Sequence, residues 1–174
     1  MRIVAGELGG RRIRAPRGGF VRPTSDRVRE AVFSILGEID GAAALDLFCG
    51  TGALGIEAVS RGAASATLVD TAVGSAARNV GDLDLGERCR IVRADAIHFL
   101  RRDDAVYDLI FCDPPYRLAR RLAPDLDKLL GARLREDGLV IVETAADGGI
   151  DLSLPLVTER TYGGSLIRIH GSAS

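Results

Sequence analysis

A chain of 174 residues with 47% hydrophobic and 27% charged side chains has the size of one ordinary domain, and this composition excludes wholesale disorder. No apolar run approaches the roughly 18–20 residues of a membrane span, and the opening "MRIVAGELGG" lacks the apolar core of a signal peptide, so a cytoplasmic protein is expected. The formal net charge of −1 conceals a segregation: residues 1–35 hold eight arginines against Glu7, Asp26 and Glu30, a balance of +5 that leaves −6 for the remainder.

The first predicted element is a β-hairpin, from two short runs, Arg2–Ala5 and Arg11–Arg14, around a turn at Gly9-Gly10. Arg2, Arg11, Arg12 and Arg14, with Arg17 and Arg22 beyond them, make this arm a candidate grip for an acidic partner, because guanidinium binds phosphate bidentately and keeps its charge. Pro16, Gly18, Gly19 and Pro23 then interrupt regular structure. A helix is predicted from Ser25 onward, where Val28, Ala31, Val32, Ile35 and Leu36 recur at helical spacing and Thr24 or Ser25 supplies the cap. That phase turns Arg27, Arg29 and Glu30 away from the core. The expected division is an arm over residues 1–22 and a body over 23–174, with residues 1–20 removable without loss of the fold.

After Gly41 strands and helices alternate. Apolar runs at Ala43–Leu47, Ala66–Val69, Arg90–Val92, Leu109–Cys112 and Leu139–Val142 are separated by helical patterns at Leu54–Arg61, Val73–Leu83, Ala96–Arg101 and Leu118–Leu130. Near-continuous apolar strands between helices indicate an α/β fold whose parallel sheet is covered on both faces. The final "LVTERTYGGSLIRIH" has no helix inside it and reads as an antiparallel hairpin.

In an open sheet of this kind ligands bind beyond the carboxyl ends of the strands. Acids stand there in succession: Asp46 near the end of the first strand, Asp70 at the end of the second, Asp95 after the third, and Asp113 opening "DPPY" after the fourth. Each has an alternative reading as a helix cap or turn residue. The stretch "CGTGALG" matches G-x-G-x-x-G through Gly50, Gly52 and Gly55, the pattern of a dinucleotide pyrophosphate turn. Asp46, four residues before Gly50, argues against that match, since a negative charge beside the turn would repel a pyrophosphate. It suits a cofactor with no phosphate and a cationic end. Cys49, Cys89 and Cys112 have no C-x-x-C spacing, and His98 and His170 stand alone, so no disulfide and no metal site are expected.

With "DLFCGTGALG" as a cofactor loop and "DPPY" as a catalytic motif, the sequence resembles the S-adenosylmethionine-dependent methyltransferases that modify exocyclic amines of nucleobases. "RIVAGELGGRRI" followed by "RPTSDRVREAVFSIL" is similar, more narrowly, to the bacterial small-subunit ribosomal RNA guanine-N2 methyltransferases of the RsmD family, and the resemblance covers nearly the whole chain. It implies a Rossmann-like class I methyltransferase fold with a mostly parallel seven-stranded sheet, an antiparallel C-terminal hairpin and a basic N-terminal hairpin arm. It also implies roles. S-adenosylmethionine would be held by Asp46, Phe48, Gly50, Gly52, Asp70, Asp95, Ala96 and Asp113. Asp113, Pro114, Pro115 and Tyr116 would form the catalytic motif, with the Asp113 carboxylate and the Pro114 carbonyl holding the amine and Tyr116 stacking on the base. Thr24 and Arg27 would close over cofactor or substrate. The partner would be small-subunit ribosomal RNA, or a partly assembled small subunit, bound through the arm by a monomer. The residues themselves leave two alternatives open: an adenine-N6 methyltransferase, since "DPPY" serves that chemistry too, and a noncatalytic RNA-binding scaffold.

Overall fold

The computed structural model describes residues 1–15, 26–146 and 150–172. Helix α1 is Asp26–Leu36; then β1 Ala43–Leu47, α2 Ala53–Ser60, β2 Ser65–Asp70, α3 Gly74–Asp82, β3 Cys89–Arg93, α4 Ala96–Arg102, β4 Tyr107–Cys112, α5 Tyr116–Leu130, β5 Leu134–Ala145, β6 Leu156–Tyr162 and β7 Ser165–Gly171 follow in order. The strands form one seven-stranded sheet in the order β3-β2-β1-β4-β5-β7-β6. β3, β2, β1, β4 and β5 are parallel, and β7 runs antiparallel between β5 and β6. Mixed α/β architecture with an antiparallel C-terminal hairpin is therefore what the alternation predicts.

Alternation along the strands builds two cores. Ala44, Leu68, Leu109, Phe111 and Ile141 point to one face, where α1, α2 and α3 lie; Leu45, Leu47, Val69, Ile110 and Val142 point to the other, under α4 and α5. Burial of both faces is why the strands read as continuous apolar runs. Among the described residues no helix is long and apolar enough to cross a membrane.

Two features depart from expectation. In α1 the buried residues are Val28, Arg29, Val32 and Phe33, while Ile35 is 42% exposed. The helix is thus rotated so that Phe33 enters the core, its ring centroid 5.6 Å from that of Phe111, with the Arg61 guanidinium on the ring 4.8 Å away. Arg29, expected on the outer face, is fully buried. Its guanidinium donates to the Arg2 carbonyl and, at 2.9 Å, to Asp26 Oδ1, and its Nε lies 4.0 Å from Glu57 Oε2.

The second departure concerns the arm. Its two runs do fold back antiparallel, with an Arg2–Arg12 bridge and bonds from Ile3 N to Arg11 O (2.9 Å) and from Ile13 N to Met1 O (3.1 Å). However, Ile3 and Ile13 belong to the core cluster beneath α1 and α2. The buried Glu57 carboxylate accepts from Val4 N at 2.8 Å and Ala5 N at 3.0 Å, and Ser60 Oγ accepts from Leu8 N at 3.0 Å while donating to Ala5 O at 2.6 Å. Gly6, at φ +83°, lies so close to α2 that a Cβ there would stand 1.8 Å from the Ser60 carbonyl oxygen. Removal of the arm would strip these two donors from a buried carboxylate that also pairs with Arg61 at 2.8 Å, so the packing argues against the expectation that the fold survives without it.

Candidate active site

Register sets the strand ends level. Leu47 stands opposite Val69 on one side and Cys112 on the other, and Asp70 stands opposite Arg93. The segments leaving β1, β2, β3 and β4 therefore emerge together at one end of the sheet, and the sequence-predicted acids gather there.

The loop after β1 is sharply wound. Phe48, Gly50 and Gly52 have φ of 60°, 53° and 77°, Gly52 N donates to Cys49 O at 2.7 Å, and Cys49 N donates to Val69 O at 3.1 Å. Left-handed backbone costs a non-glycine residue roughly 1–2 kcal/mol, and Phe48 bears it while packing on the α4–α5 side of the sheet. A Cβ on Gly50 would meet nothing within 4 Å, so that side of the loop is open. The next two glycines answer a different need. A Cβ on Gly52 would lie 3.0 Å from Leu68 Cδ1, and one on Gly55 2.3 Å from Leu68 Cδ2 and 3.3 Å from Asp46 Cβ. Gly52 thus suits its place because Leu68 of β2 and Ile56 of α2 leave little room for a side chain and its φ of 77° favours glycine. Close helix–sheet packing is also what the third glycine of a dinucleotide fingerprint provides, so the literal match arises from a shared packing requirement.

The acids differ in environment. Asp46 is 2% exposed, and its Oδ2 accepts from Gly55 N at 2.9 Å. Burial above all pushes its carboxyl up to about 7; the Gly55 N–H opposes this and the charge of Asp70 adds to it. Burial thus favours the neutral acid and weakens Asp46 as the fixed negative charge expected beside the turn. Asp70 is half-buried: Oδ2 accepts from Gly50 N and Oδ1 from Ala72 N, each at 2.9 Å, which ties the β1 loop to the turn after β2. Asp95 is exposed and caps α4, its Oδ1 accepting from His98 N at 3.0 Å. Ala96, the first residue of α4, is buried in the core on the α4–α5 side of the sheet.

Asp113 is half-buried at the end of β4, Pro114 is buried, and the Pro115 carbonyl starts α5 by accepting from Leu118 N and Ala119 N at 2.7 and 3.1 Å. Two consecutive fixed φ values make this turn rigid, and proline just before a helix costs no hydrogen bond. Tyr116, at the first position of α5, is 46% exposed. All three cysteines are buried and free. Burial, with Asp46 and Asp70 nearby, pushes the Cys49 thiol up, and burial with Asp113 and Asp46 does the same to Cys112, so neither supplies a thiolate nucleophile.

Arg27 is exposed in the first turn of α1, whereas Thr24, Arg17 and Arg22 lie outside the described residues. Two residues not singled out from sequence anchor the surroundings. Asn79, buried on α3, donates to Thr51 O at 3.0 Å and Arg14 O at 3.1 Å and accepts from Arg14 N at 2.9 Å, joining the β1 loop to the arm. Glu57 holds the other end of the arm, as described above. Both carried a signal: Asn79 is a lone amide on the Ala76–Val80–Leu83 face, and Glu57 a lone acid in the apolar helix α2.

Comparison with known proteins places this geometry in context. Residues 1–170 match the family model described as conserved hypothetical protein 95. The chain is 38% identical over 156 residues to the ribosomal RNA small subunit methyltransferase D of Escherichia coli K12, covering 86% of this chain and 77% of that protein. It superposes on the solved structure of Escherichia coli yhhF with a TM-score of 0.87 at 34% identity, over 99% of this chain and 97% of that one. The Thermus thermophilus 16S rRNA methyltransferase RsmC, solved with AdoMet and guanosine, shares the fold at a TM-score of 0.73 and 20% identity, over 99% of this chain and 49% of that one. A matched family model over almost the whole length, with a strand order and a loop geometry to suit it, leads to one conclusion: the chain belongs to the family of the small-subunit ribosomal RNA methyltransferase D proteins, the RsmD family.

Proposed function

We propose that this protein transfers a methyl group from S-adenosylmethionine to the exocyclic N2 of a guanine in small-subunit (16S) ribosomal RNA, acting as a cytoplasmic monomer on the RNA or on a partly assembled subunit. The observation that carries this reading is the convergence, at one end of the sheet, of the wound loop after β1, the half-buried Asp70 and the rigid Asp113–Tyr116 turn.

The residues present fit the cofactor. Gly50 leaves open space on the outer side of the loop, and Asp70 presents a half-buried carboxylate beside it for ribose hydroxyls. Phe48, Gly52, Asp95, Ala96, Asp46 and Asp113 are proposed to complete the cofactor site, with Thr24 and Arg27 as the proposed closing residues. When bound, S-adenosylmethionine supplies an electrophilic methyl on a sulfonium centre, and the reaction needs a nitrogen lone pair aimed at it.

An exocyclic amine is a poor nucleophile because its lone pair is delocalised into the ring. The Asp113 carboxylate and Pro114 carbonyl are acceptors, so they hold the two amine hydrogens and direct the lone pair away from themselves. Tyr116, exposed at the start of α5, is the residue we assign to stack on the base, which must be unpaired or flipped to reach it. After transfer, Asp113 accepts or relays the amine proton. Rigid positioning of this kind corresponds to effective molarities worth roughly 7–11 kcal/mol of barrier.

Replacing Asp113 tests the reading. Asp113→Ala is expected to lower single-turnover methyl transfer by about 10²–10⁴-fold while calorimetry finds cofactor affinity within a few fold of wild type. Equal loss of transfer and cofactor binding would overturn the catalytic role.

A further inference from the structure

The arginines of the arm do not end at the arm. Among the described residues, a cavity of about 1150 Å³ is lined by Arg14 and Ala15, by the Thr71–Ser75 turn between β2 and α3, and by Arg78 and Arg93. A smaller cavity of about 390 Å³ is lined by Arg11, Arg12, Arg14, Asp82 and Leu83. Arg14 lines both, so the two join into one strip that carries five guanidinium groups and, among its described lining residues, a single carboxylate.

The strip is built rather than loose. Asn79 bonds both the N–H and the carbonyl of Arg14, fixing that backbone against α3, and the Arg14 side chain pairs with Asp82 at 3.0 Å. Arg93 Nε donates to Thr71 O at 3.3 Å, which holds its guanidinium over the turn. Arg78 is exposed and makes no ion pair among the described residues. It lies on α3 one turn beyond Gly74 and Ser75, so its charge adds to the positive end of that helix.

The chemistry selects the ligand. This cavity, which has three arginines and no carboxylate among its described lining residues and adjoins Asp70 through Thr71 and Ala72, is strongly cationic. It is right for phosphate oxygens, which guanidinium forks bind bidentately. Its position selects the source. Thr71 directly follows Asp70, and the order β3-β2-β1-β4 at a spacing of about 4.8 Å per strand puts Thr71 roughly 10 Å and Arg93 roughly 14 Å across the sheet from the Asp113 turn.

Building on the reading of the substrate as RNA, we propose that Arg78 and Arg93, together with Arg14, form a phosphate subsite for the RNA backbone flanking the target nucleotide, continuing the arm's arginine track to the edge of the active site. Base contacts specify and phosphate contacts position, so this subsite acts on register and affinity.

The test measures binding of the full-length protein to deproteinised small-subunit RNA lacking the modification, from 50 to 300 mM KCl. It compares wild type with Arg78→Gln/Arg93→Gln and with Arg120→Gln/Arg121→Gln on α5 across the sheet. Loss of two phosphate contacts is expected to weaken binding about tenfold and to flatten the slope of log K against log salt by about 1.4–1.8. KM for RNA rises, kcat and cofactor affinity hold, and the α5 pair, which removes the same charge, behaves as wild type. A wild-type slope for the Arg78/Arg93 pair, or an equal change in the α5 pair, would overturn the subsite. The product nucleoside made by the wild-type enzyme reports separately on the guanine reading: methylated adenine would overturn that reading and leave the slope comparison standing.

Discussion

Asp46 and Asp70 are both carboxylates at the end of the sheet that carries the site, yet their surroundings separate them. Asp46 faces α2 and is enclosed, so its neutral form is favoured up to about pH 7, whereas Asp70 sits at the surface with two backbone donors. The linkage has a definite sign. Because the folded value lies above the 3.8 of an ordinary aspartate, stability contributed by this group is complete below pH 3.8 and is lost as pH rises to about 7. The loss is on the order of a few kcal/mol. Asp46→Asn keeps an oxygen for Gly55 N and cannot ionise, so in denaturant unfolding without cofactor its advantage over wild type is expected to grow from pH 4 to pH 8. Parallel stability–pH curves for the two proteins would contradict the buried-acid account.

At the scale of elements, the arm and α2 are one unit. Glu57 and Ser60 project from α2 into the backbone of residues 4–8, Asn79 of α3 does the same at Arg14, and Ile3 and Ile13 close the core between them. Deleting residues 1–14 is therefore expected to lower the unfolding free energy by about 3–6 kcal/mol, since it removes buried Ile3 and Ile13, each worth about 1.5–3 kcal/mol, and two donors from a Glu57 carboxylate that keeps Arg61, with weaker cofactor binding following from the lost stability. An unchanged thermal midpoint and cofactor affinity would show instead that the arm is an independent appendage. The docked arm was only partly legible in the sequence. Its turn residues and alternating runs announce a hairpin, but Arg29 is buried because Arg2 O lies across from it, 27 positions away, and no local pattern encodes that partner. The phase of α1 failed for a related reason: Phe33 and Ile35 are both apolar, and only the Phe111 ring on β4 decides which enters the core.

For the whole molecule, the sheet was the most legible part. Strand–helix alternation identifies each parallel strand because burial on both faces writes it as an apolar run, and β1 falls on the same residues, Ala43–Leu47, in sequence and structure. The acids at the strand ends were legible as a group through their repeated position. Arg78 and Arg93 were not, since they join Arg14 only when α3 and β3 fold beside the arm. The same assembly explains how a chain of net charge −1 can carry a basic surface: Arg11, Arg12 and Arg14 of the arm stand beside Arg78 and Arg93 of the body. The most direct measurement supplies methyl-labelled S-adenosylmethionine and this enzyme to small subunits from cells lacking it, then digests the RNA and identifies the labelled nucleoside. The account predicts N2-methylguanosine at a single position, absent with Asp113→Ala; label in N6-methyladenosine, or no label from a protein that binds the cofactor and these subunits, would contradict it.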